Sequence, residues 1–124
     1  MPGVRHHMDS EGWLMQDIYA ELADAQMHHL EAIRSKRENG EKLAEATREY
    51  RMAVEVKTME LRMDKGYPVT LVPDLVRGSA GVAYLGYERD RIRANYDADC
   101  SLVEFWKEKT YIIQRTIELE ARGL

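Results

Sequence analysis

Apolar residues recur at helical spacing along most of the chain, and the most regular pattern occupies its C-terminal third. Over about residues 79–121 they follow alternating steps of three and four residues, which is the spacing of a coiled-coil seam. The seam positions are Val82, Leu85, Arg89, Ile92, Tyr96, Asp99, Val103, Trp106, Thr110, Ile113 and Ile117. This pattern predicts one long helix that packs along a narrow stripe.

A first amphipathic helix is predicted over about residues 10–38. Asp9 or Ser10 can cap its N-terminus, and Asn39 followed by Gly40 is a typical helix stop. The predicted inner stripe of this helix is Leu14, Ile18, Leu22, Ala25, His29 and Ile33. The chain should therefore turn or kink at Gly40.

A second helix is predicted over about residues 41–65, with Gly66 as its end. Its inner stripe is Leu43, Ala46, Tyr50, Ala53, Val54 and Leu61. The alanines in this stripe allow a neighbouring helix to approach closely, so we expect this helix to pair with another. The pattern leaves open whether the first two helices are separate or form one kinked rod.

The linker, residues 66–78, interrupts the helical pattern. Pro68 and Pro73 exclude a continuous helix, while the valines and leucines between them are too apolar for a mobile connection. We expect an ordered segment folded over the end of a hairpin, with either a short helical turn starting at Pro73 or a strand over residues 69–72. The predicted fold is all-α: an antiparallel helical hairpin or a three-helix, coiled-coil-like bundle with an ordered, proline-containing linker.

The composition agrees with long amphipathic helices in a single domain. The 124 residues are 44% hydrophobic and 32% charged, and they include only 3 prolines and 8 glycines. A chain of this length has room for one modest core. We expect a disordered leader over residues 1–8 and one helical domain over residues 9–124.

The net charge, the length of the apolar runs and the cysteine count indicate the cellular location of the protein. The net charge of −4 gives no overall attraction to phosphate or to anionic membranes. No apolar run is long enough for a membrane span or a secretion signal, and Cys100 is the single cysteine, so an internal disulfide is excluded. We expect a cytoplasmic protein that does not bind membranes.

No arrangement typical of an enzyme or a metal site occurs in the sequence. The histidines form two adjacent pairs, His6 with His7 and His28 with His29, whereas two metal ligands on one helix usually lie three or four residues apart. Cys100 has no histidine near it in sequence, and no glycine-rich phosphate loop occurs. We therefore expect no catalytic activity, no metal or other cofactor, and no small-molecule substrate.

Polar residues interrupt the predicted helix contacts at Asp99, Arg89, Thr110 and Lys57. Buried polar groups reduce the stability of a coiled coil but can fix its register and oligomeric state. We expect Arg89 to pair with Asp99 or with an acid of the second helix. We also expect these residues to specify one pairing of helices in a homo-oligomer, a dimer being favoured.

The linker supplies a candidate surface for a protein partner. Tyr67, Leu71, Leu75 and Arg77 combine aromatic, aliphatic and arginine side chains, a mixture typical of interaction surfaces when it is exposed. The alternative is that the linker only covers the core of the hairpin.

The third helix offers a different candidate surface, for nucleic acid. Its residues are Arg89, Arg91, Arg93, Tyr84 and Tyr87, which are the types that hold phosphates and stack on bases. Acidic residues alternate with these arginines, however, and alternating charges are more typical of ion-paired, solvated helix faces.

The linker also carries a resemblance to a group of known proteins. Its sequence, Gly66-Tyr-Pro-Val-Thr-Leu-Val-Pro-Asp-Leu-Val-Arg-Gly78, follows a Glu- and Lys-rich helix ending Met59-Glu-Leu-Arg-Met-Asp-Lys and precedes a long charged helix. Over about residues 42–119 the chain resembles small uncharacterised helical proteins encoded by bacteriophages and prophages of Gram-positive bacteria. The resemblance implies a protein that acts in the cytoplasm of an infected host, and it brings no functional residues with it.

These observations favour a non-enzymatic helical protein-interaction protein, encoded by a phage, that binds a protein partner. It would serve as an accessory of replication or recombination, or as an inhibitor of a host defence enzyme. The alternatives are a nucleic-acid-binding accessory protein that uses the patch on the third helix, and a purely structural oligomer. The salt dependence of binding distinguishes the protein-binding from the nucleic-acid-binding candidate. Affinity that depends on phosphate contacts falls steeply as the salt concentration rises, whereas the affinity of an apolar protein interface does not.

Overall fold

The computed structural model describes the backbone of residues 2–123 and the side chains of residues 15–123. Its elements, in chain order, are helix α1 (Pro2–Met59), a π-helical segment (Glu60–Asp64), helix α2 (Val72–Gly78) and helix α3 (Ala80–Ala121). No β-strand occurs among residues 2–123, so the predicted all-α class is confirmed. No helix in the described part of the chain combines the length and the apolar character needed to cross a membrane.

The chain divides into two compact units. The terminal unit consists of Met1–Arg34 and Asp99–Leu124, and the central unit consists of Ser35–Ala98. Each unit contains a part of α1 and a part of α3, and the central unit also contains α2.

In the terminal unit, α1 and α3 pack as an antiparallel pair. Ile18 of α1 lines a groove together with Ile112 and Ile113 of α3, whereas His28, further along α1, stacks on Trp106, which lies earlier in α3. Opposite chain directions follow from this order of contacts. Among the described side chains of this unit, Ala25, Ala32 and Ile113 are the buried apolar ones.

In the central unit, the same two helices are again antiparallel. Gly40 lies against Tyr96, and Tyr50, ten residues further along α1, lies against Gly86, ten residues earlier in α3. The core of this unit is formed by Leu61, Val72, Val76 and Val82, with Tyr50, Ala53 and Val54 packed against it.

The coiled-coil seam predicted for α3 is confirmed. Every seam position from Val82 to Ile117 is buried or half-buried, while most residues between them are exposed. The stripe predicted for residues 41–65 is also buried or half-buried throughout. Arg89, Asp99 and Thr110 are polar residues of this seam, and no large side chain in the described part of the chain is fully buried.

The predicted helix stop at Asn39 and Gly40 is wrong. Helix α1 runs through both residues, so the two helices predicted over residues 10–38 and 41–65 are one. Gly40 is half-buried and faces the ring of Tyr96, with a φ that is not in the left-handed region used by glycine at helix ends. The glycine serves a close helix contact here, because its lack of a side chain leaves room for the ring.

The inner position predicted for Ile33 is also wrong. Ile33 is 43% exposed, and its neighbour Ala32 is buried instead. Alternating steps of four and three residues lead from Ala25 to His29 and then to Ala32. Ile33 lies one residue beyond this series, so it faces outward although its side chain is larger and more apolar than that of Ala32.

Some predictions fall on residues that the structure does not describe fully. The disordered leader predicted over residues 1–8 and the helix start predicted at Asp9 or Ser10 are wrong, because α1 begins at Pro2 and continues through Asp9 and Ser10. The inward position of Leu14 concerns a side chain outside the described range.

The linker is ordered and contains a helix, as predicted, and the competing strand over residues 69–72 does not form. Gly66 ends the preceding helix with a φ of 67°, and the N–H of Tyr67 then donates to the carbonyl oxygen of Leu61 at 3.0 Å. A turn follows, in which the N–H of Leu71 donates to the carbonyl oxygen of Pro68 at 3.0 Å. Helix α2 begins directly after it, with a proline in its first turn.

Candidate protein-interaction surface

Helix α2, together with its N-cap residue Leu71, has an inward face and an outward face. Val72 and Val76, one helical turn apart, are buried in the core of the central unit. Leu71 and Leu75, each one position earlier, are 51% and 41% exposed. A step of one residue rotates a side chain by about 100° around a helix, so the burial of the valines forces both leucines outward.

The linker surface comprises the exposed residues Tyr67, Val69, Leu71, Leu75 and Arg77. All four residues that the sequence singled out as partner-binding are therefore exposed and lie on one ordered segment. Arg77 also forms an ion pair, with its Nη2 atom 2.6 Å from Oδ1 of Asp74. This exposed pair leaves other donors of the guanidinium available, because an arginine carries five N–H groups.

A groove lies beside the linker surface, where α2 packs beside α1 and the π-helical segment, and we call it the basic groove. It has a volume of about 560 Å³. Its apolar lining is formed by Val54, Val69, Val72, Pro73 and Val76. Its polar lining is formed by Arg51, Arg62, Arg77, Glu55, Thr58 and the ring of Tyr50.

Positive charge dominates the basic groove. Three of its lining residues are arginines, and Glu55 is its single acid. Within the described residues, neither Arg51 nor Arg62 takes part in an ion pair or a side-chain hydrogen bond, while Arg77 is paired with Asp74. The groove therefore presents two unneutralised guanidinium groups beside an aliphatic floor.

Sequence reasoning named only Arg77 among the charged residues of this groove. Arg51, Glu55 and Thr58 of α1 and Arg62 of the π-helical segment follow a four-three-four spacing, and all four line the groove. That spacing is visible in the sequence, but the groove also needs α2 to pack beside these residues. The position of a short helix after a proline-containing turn could not be read from the periodicity.

The predicted ion pair of Arg89 with Asp99 or with an acid of the second helix is wrong. Arg89 pairs with its chain neighbour Asp90, whose Oδ1 atom lies 3.1 Å from Nη2. Its guanidinium carbon lies 4.2 Å above the centre of the Tyr50 ring, which is a cation–π contact between α3 and α1. Arg89 and Asp99 are ten residues apart on one helix, roughly 15 Å along its axis, which is too far for an ion pair.

The remaining residues of the arginine and tyrosine patch do not all share one face. Tyr84 and Arg91 are seven residues apart and lie on the same side of α3, whereas Arg93 lies about 180° from Tyr84. Tyr84 and Tyr87 are exposed. Arg91 is engaged by Glu88 at 2.8 Å, and this hydrogen bond, with the attraction of the two charges, raises the pKa of Arg91.

The polar seam residues differ in their surroundings. Asp99 is 7% exposed and is the one charged residue of the described chain that is buried. Lys57 is half-buried, and its Nζ atom lies 3.3 Å from Oε2 of Glu60. The hydroxyl oxygen of Thr110 is buried and has no hydrogen-bond partner within the described residues.

The terminal unit holds an aromatic cluster around Trp106. The indole ring stacks on the imidazole of His28, with ring centres 4.5 Å apart and planes inclined by 18°, and Phe105 meets it edge-on at 5.0 Å. His28 lies between the carboxylates of Asp24 and Glu31, at 3.5 and 3.7 Å. Among the described residues, no three histidine, cysteine or acidic side chains converge as they would around a metal ion.

Comparisons with known proteins add no relative: no family model matches the chain, and neither a curated protein nor a solved structure matches it. The resemblance to phage-encoded proteins therefore stays a prediction.

Proposed function

We propose that this protein is a non-enzymatic helical interaction protein whose linker surface binds another protein. The observation that carries the proposal is the outward exposure of Tyr67, Leu71 and Leu75 on a segment whose other face is anchored in the core. A rigid surface loses little conformational entropy when it binds, so most of the free energy of apolar contact remains for affinity.

The residue types of this surface suit a protein partner. Tyr67 and Arg77 belong to the types most enriched at the energetic centres of interfaces, and the leucines beside them extend the apolar area. Two prolines and the buried valines keep the backbone of the linker in place. A contiguous patch of exposed apolar residues is a recognised mark of a binding site.

The test is affinity capture of the tagged full-length chain from a lysate of its source cells, with and without nuclease, at low and high salt. We expect one protein to be retained through nuclease treatment and high salt, and to be lost with the variant Leu71→Ser. The matched control is Leu30→Ser in the terminal unit, because Leu30 and Leu71 are 50% and 51% exposed. Equal retention by both variants would contradict a role for the linker surface.

The cellular setting belongs to the same proposal. A phage-encoded protein of this kind would act in the host cytoplasm as a replication or recombination accessory, or as an inhibitor of a host defence enzyme. The identity of the captured protein decides between these roles, since a polymerase, a recombinase and a defence nuclease are distinct outcomes of the same capture.

A nucleic-acid-binding accessory is the second candidate, and the exposure of Tyr84 and Tyr87 favours it. Two exposed aromatic rings near Arg91 could stack on bases of a single strand. This candidate predicts that retention disappears with nuclease or at high salt, because phosphate contacts weaken steeply as counterions compete. The double variant Tyr84→Ser/Tyr87→Ser would then lose binding while Leu71→Ser kept it.

A purely structural oligomer is the third candidate. It is favoured by a stripe of exposed apolar residues in the terminal unit, Leu102, Phe105 and Ile112, which lies beside the seam of α3. Self-association through this stripe is compatible with a protein partner at the linker surface. As the sole function, it predicts assembly of the purified chain and no captured partner.

A further inference from the structure

The basic groove has the size and chemistry of a binding site for a short peptide segment. Its volume of about 560 Å³ falls within the usual range of ligand-binding clefts in proteins. The floor is aliphatic, since Val54, Val72 and Val76 line it together with Pro73. Such a floor favours aliphatic side chains of a ligand through the hydrophobic effect.

The charges at the groove point to an acidic ligand. Arg51, Arg62 and Arg77 line it against the single acid Glu55, and the first two have no ionic partner within the described residues. Arginine binds carboxylates through paired, charge-assisted hydrogen bonds. Because an apolar floor lies between these guanidinium groups, the ligand must combine carboxylates with aliphatic side chains.

The spacing of the charges sets the pattern of the ligand. Arg51 in α1 and Arg62 in the π-helical segment that follows it both line the groove. They are eleven residues apart, which corresponds to roughly 16 Å at the rise of an α-helix. An extended peptide covers the same distance in about five residues. Glu55 lies between the two arginines in the sequence and would repel an acid at the centre of the ligand.

We infer that the basic groove binds a segment of a protein partner in which two acidic residues, about five positions apart, flank aliphatic residues. This inference rests on the proposed function and specifies the chemistry of the partner. It assigns the groove to the same partner that covers the linker surface, since Val69 and Arg77 belong to both.

A nucleic acid suits this groove less well than a peptide. Single strands bind through aromatic rings on which bases stack. Tyr50 supplies the one aromatic ring of the groove, and the guanidinium of Arg89 lies over that ring. The remaining floor consists of valine and proline side chains, which offer no stacking platform.

The experiment measures binding of fluorescein-labelled hexapeptides to the full chain by fluorescence anisotropy. The probe is Glu-Leu-Ser-Val-Leu-Glu, and its two controls replace both glutamates by lysine or all apolar residues by serine. We expect the probe to bind at least about tenfold more tightly than either control, because a charge-assisted pair and an apolar contact each contribute on this scale. Amide resonances of Val54 and Val69 should shift when the probe binds.

Variants of the protein complete the test. Arg51→Gln/Arg62→Gln should weaken binding of the probe by at least about tenfold, and Val69→Ser should weaken it severalfold. Arg48→Gln is the control, since Arg48 is an exposed arginine of α1 that does not line the basic groove. The substituted side chains of Arg51, Arg62 and Val69 are exposed, so unchanged helix content and melting temperature are expected.

Several results would overturn the inference. They are equal binding of the lysine control, probe binding that is unaffected by Arg51→Gln/Arg62→Gln, or no binding of any peptide. If a labelled oligothymidylate binds more tightly than the probe and depends on the same arginines, the groove binds nucleic acid. If the probe does not bind and Arg51→Gln/Arg62→Gln abolishes self-association of the chain, the groove binds a second copy of the chain. A captured partner that depends on Leu71, together with any of these results, would leave the proposed function standing and remove only the ligand assignment.

Discussion

A β-carbon added to Gly40 would lie 3.2 Å from Cε1 of Tyr96, closer than ordinary van der Waals contact. The ring of Tyr96 therefore occupies the space that a side chain at residue 40 would need. Gly86 and Tyr50 repeat this relationship with the helices exchanged, since a β-carbon on Gly86 would lie 3.2 Å from Cε2 of Tyr50. In the central unit, each of the two helices thus provides a glycine against which a tyrosine of the other packs.

Replacing these glycines by alanine should not stabilise the protein, although alanine is the better helix former. The change Gly→Ala inside a helix normally gains about 0.5–1 kcal/mol. For Gly40→Ala and Gly86→Ala we expect this gain to be cancelled or exceeded by displacement of the tyrosine rings. The control is Gly81→Ala in the first turn of α3, where a β-carbon meets nothing within 4 Å and a gain of about 0.5 kcal/mol is expected. Urea unfolding of the three variants measures the difference, and equal stabilisation of all three would contradict close packing at Gly40 and Gly86.

The seam could be predicted from sequence because its spacing is a local property of the chain. The alternating three- and four-residue spacing continues without interruption from Val82 to Ile117. It therefore predicts one continuous helix whichever helix packs against it. The end of a helix at glycine is a weaker signal, since glycine serves both left-handed turns and close contacts. Gly66 adopts the first role and Gly40 the second, and only the position of Tyr96 distinguishes them.

The candidate surface could be predicted in part for a similar reason. The apolar residues of the linker identify it as ordered, but its composition does not say which of them face the core. Helix α2 decides this, because it places Val76 inward and Leu75 outward. The basic groove depends on residues from α1 and α2 that are separated by a turn, and no periodic pattern crosses that turn.

Alanine substitutions of the neighbouring residues Trp106 and Phe105 should lower the free energy of unfolding by different amounts. Trp106 lies in the seam, half-buried and stacked on His28, so Trp106→Ala should destabilise the protein by about 2 kcal/mol. Phe105 is exposed, and Phe105→Ala should cost less than about 1 kcal/mol of unfolding free energy. Chemical denaturation at one fixed protein concentration measures both values. Equal costs would contradict the inward position of Trp106.

Phe105 should instead affect self-association. It forms an exposed stripe with Leu102 and Ile112 at helical spacing in the terminal unit, and contact with a second copy would remove this apolar area from water. We expect Phe105→Ser/Ile112→Ser to shift the chain toward monomer in sedimentation equilibrium. Tyr84→Ser/Tyr87→Ser, at two exposed aromatic positions of the central unit, is the control and should leave the equilibrium unchanged. A wild-type chain that stays monomeric at all concentrations would exclude this use of the stripe.

The pKa of Glu45 should depend on Arg48. Nη2 of Arg48 lies 2.6 Å from Oε1 of Glu45, and this hydrogen bond, together with the attraction between the charges, lowers the pKa of the carboxyl group. Because the pKa is lower in the folded than in the unfolded chain, the pair stabilises the helix above the unfolded pKa, and this contribution is lost as the pH falls through the folded pKa. A carboxyl titration followed by NMR should show the pKa of Glu45 rising toward its ordinary value in Arg48→Gln. An unchanged titration would indicate that the pair does not persist in solution, where surface pairs are screened.

Replacing Asp99 by leucine should raise the melting temperature of the protein and allow more than one pairing of helices. Asp99 is the one charged residue of the described chain that is buried, and it occupies a seam position where the neighbouring seam residues, Tyr96 and Val103, are largely apolar. Removing a buried charge from such a seam lowers its desolvation cost, while the loss of its polar contacts permits other registers and other oligomers. We expect Asp99→Leu to melt at a higher temperature and to give a broader distribution of species in sedimentation velocity. Asp99→Asn keeps the shape and the hydrogen-bonding capacity of the side chain, so it should keep the distribution narrow. A leucine variant that is less stable and strictly uniform would show that Asp99 holds the fold together and does not select among helix pairings.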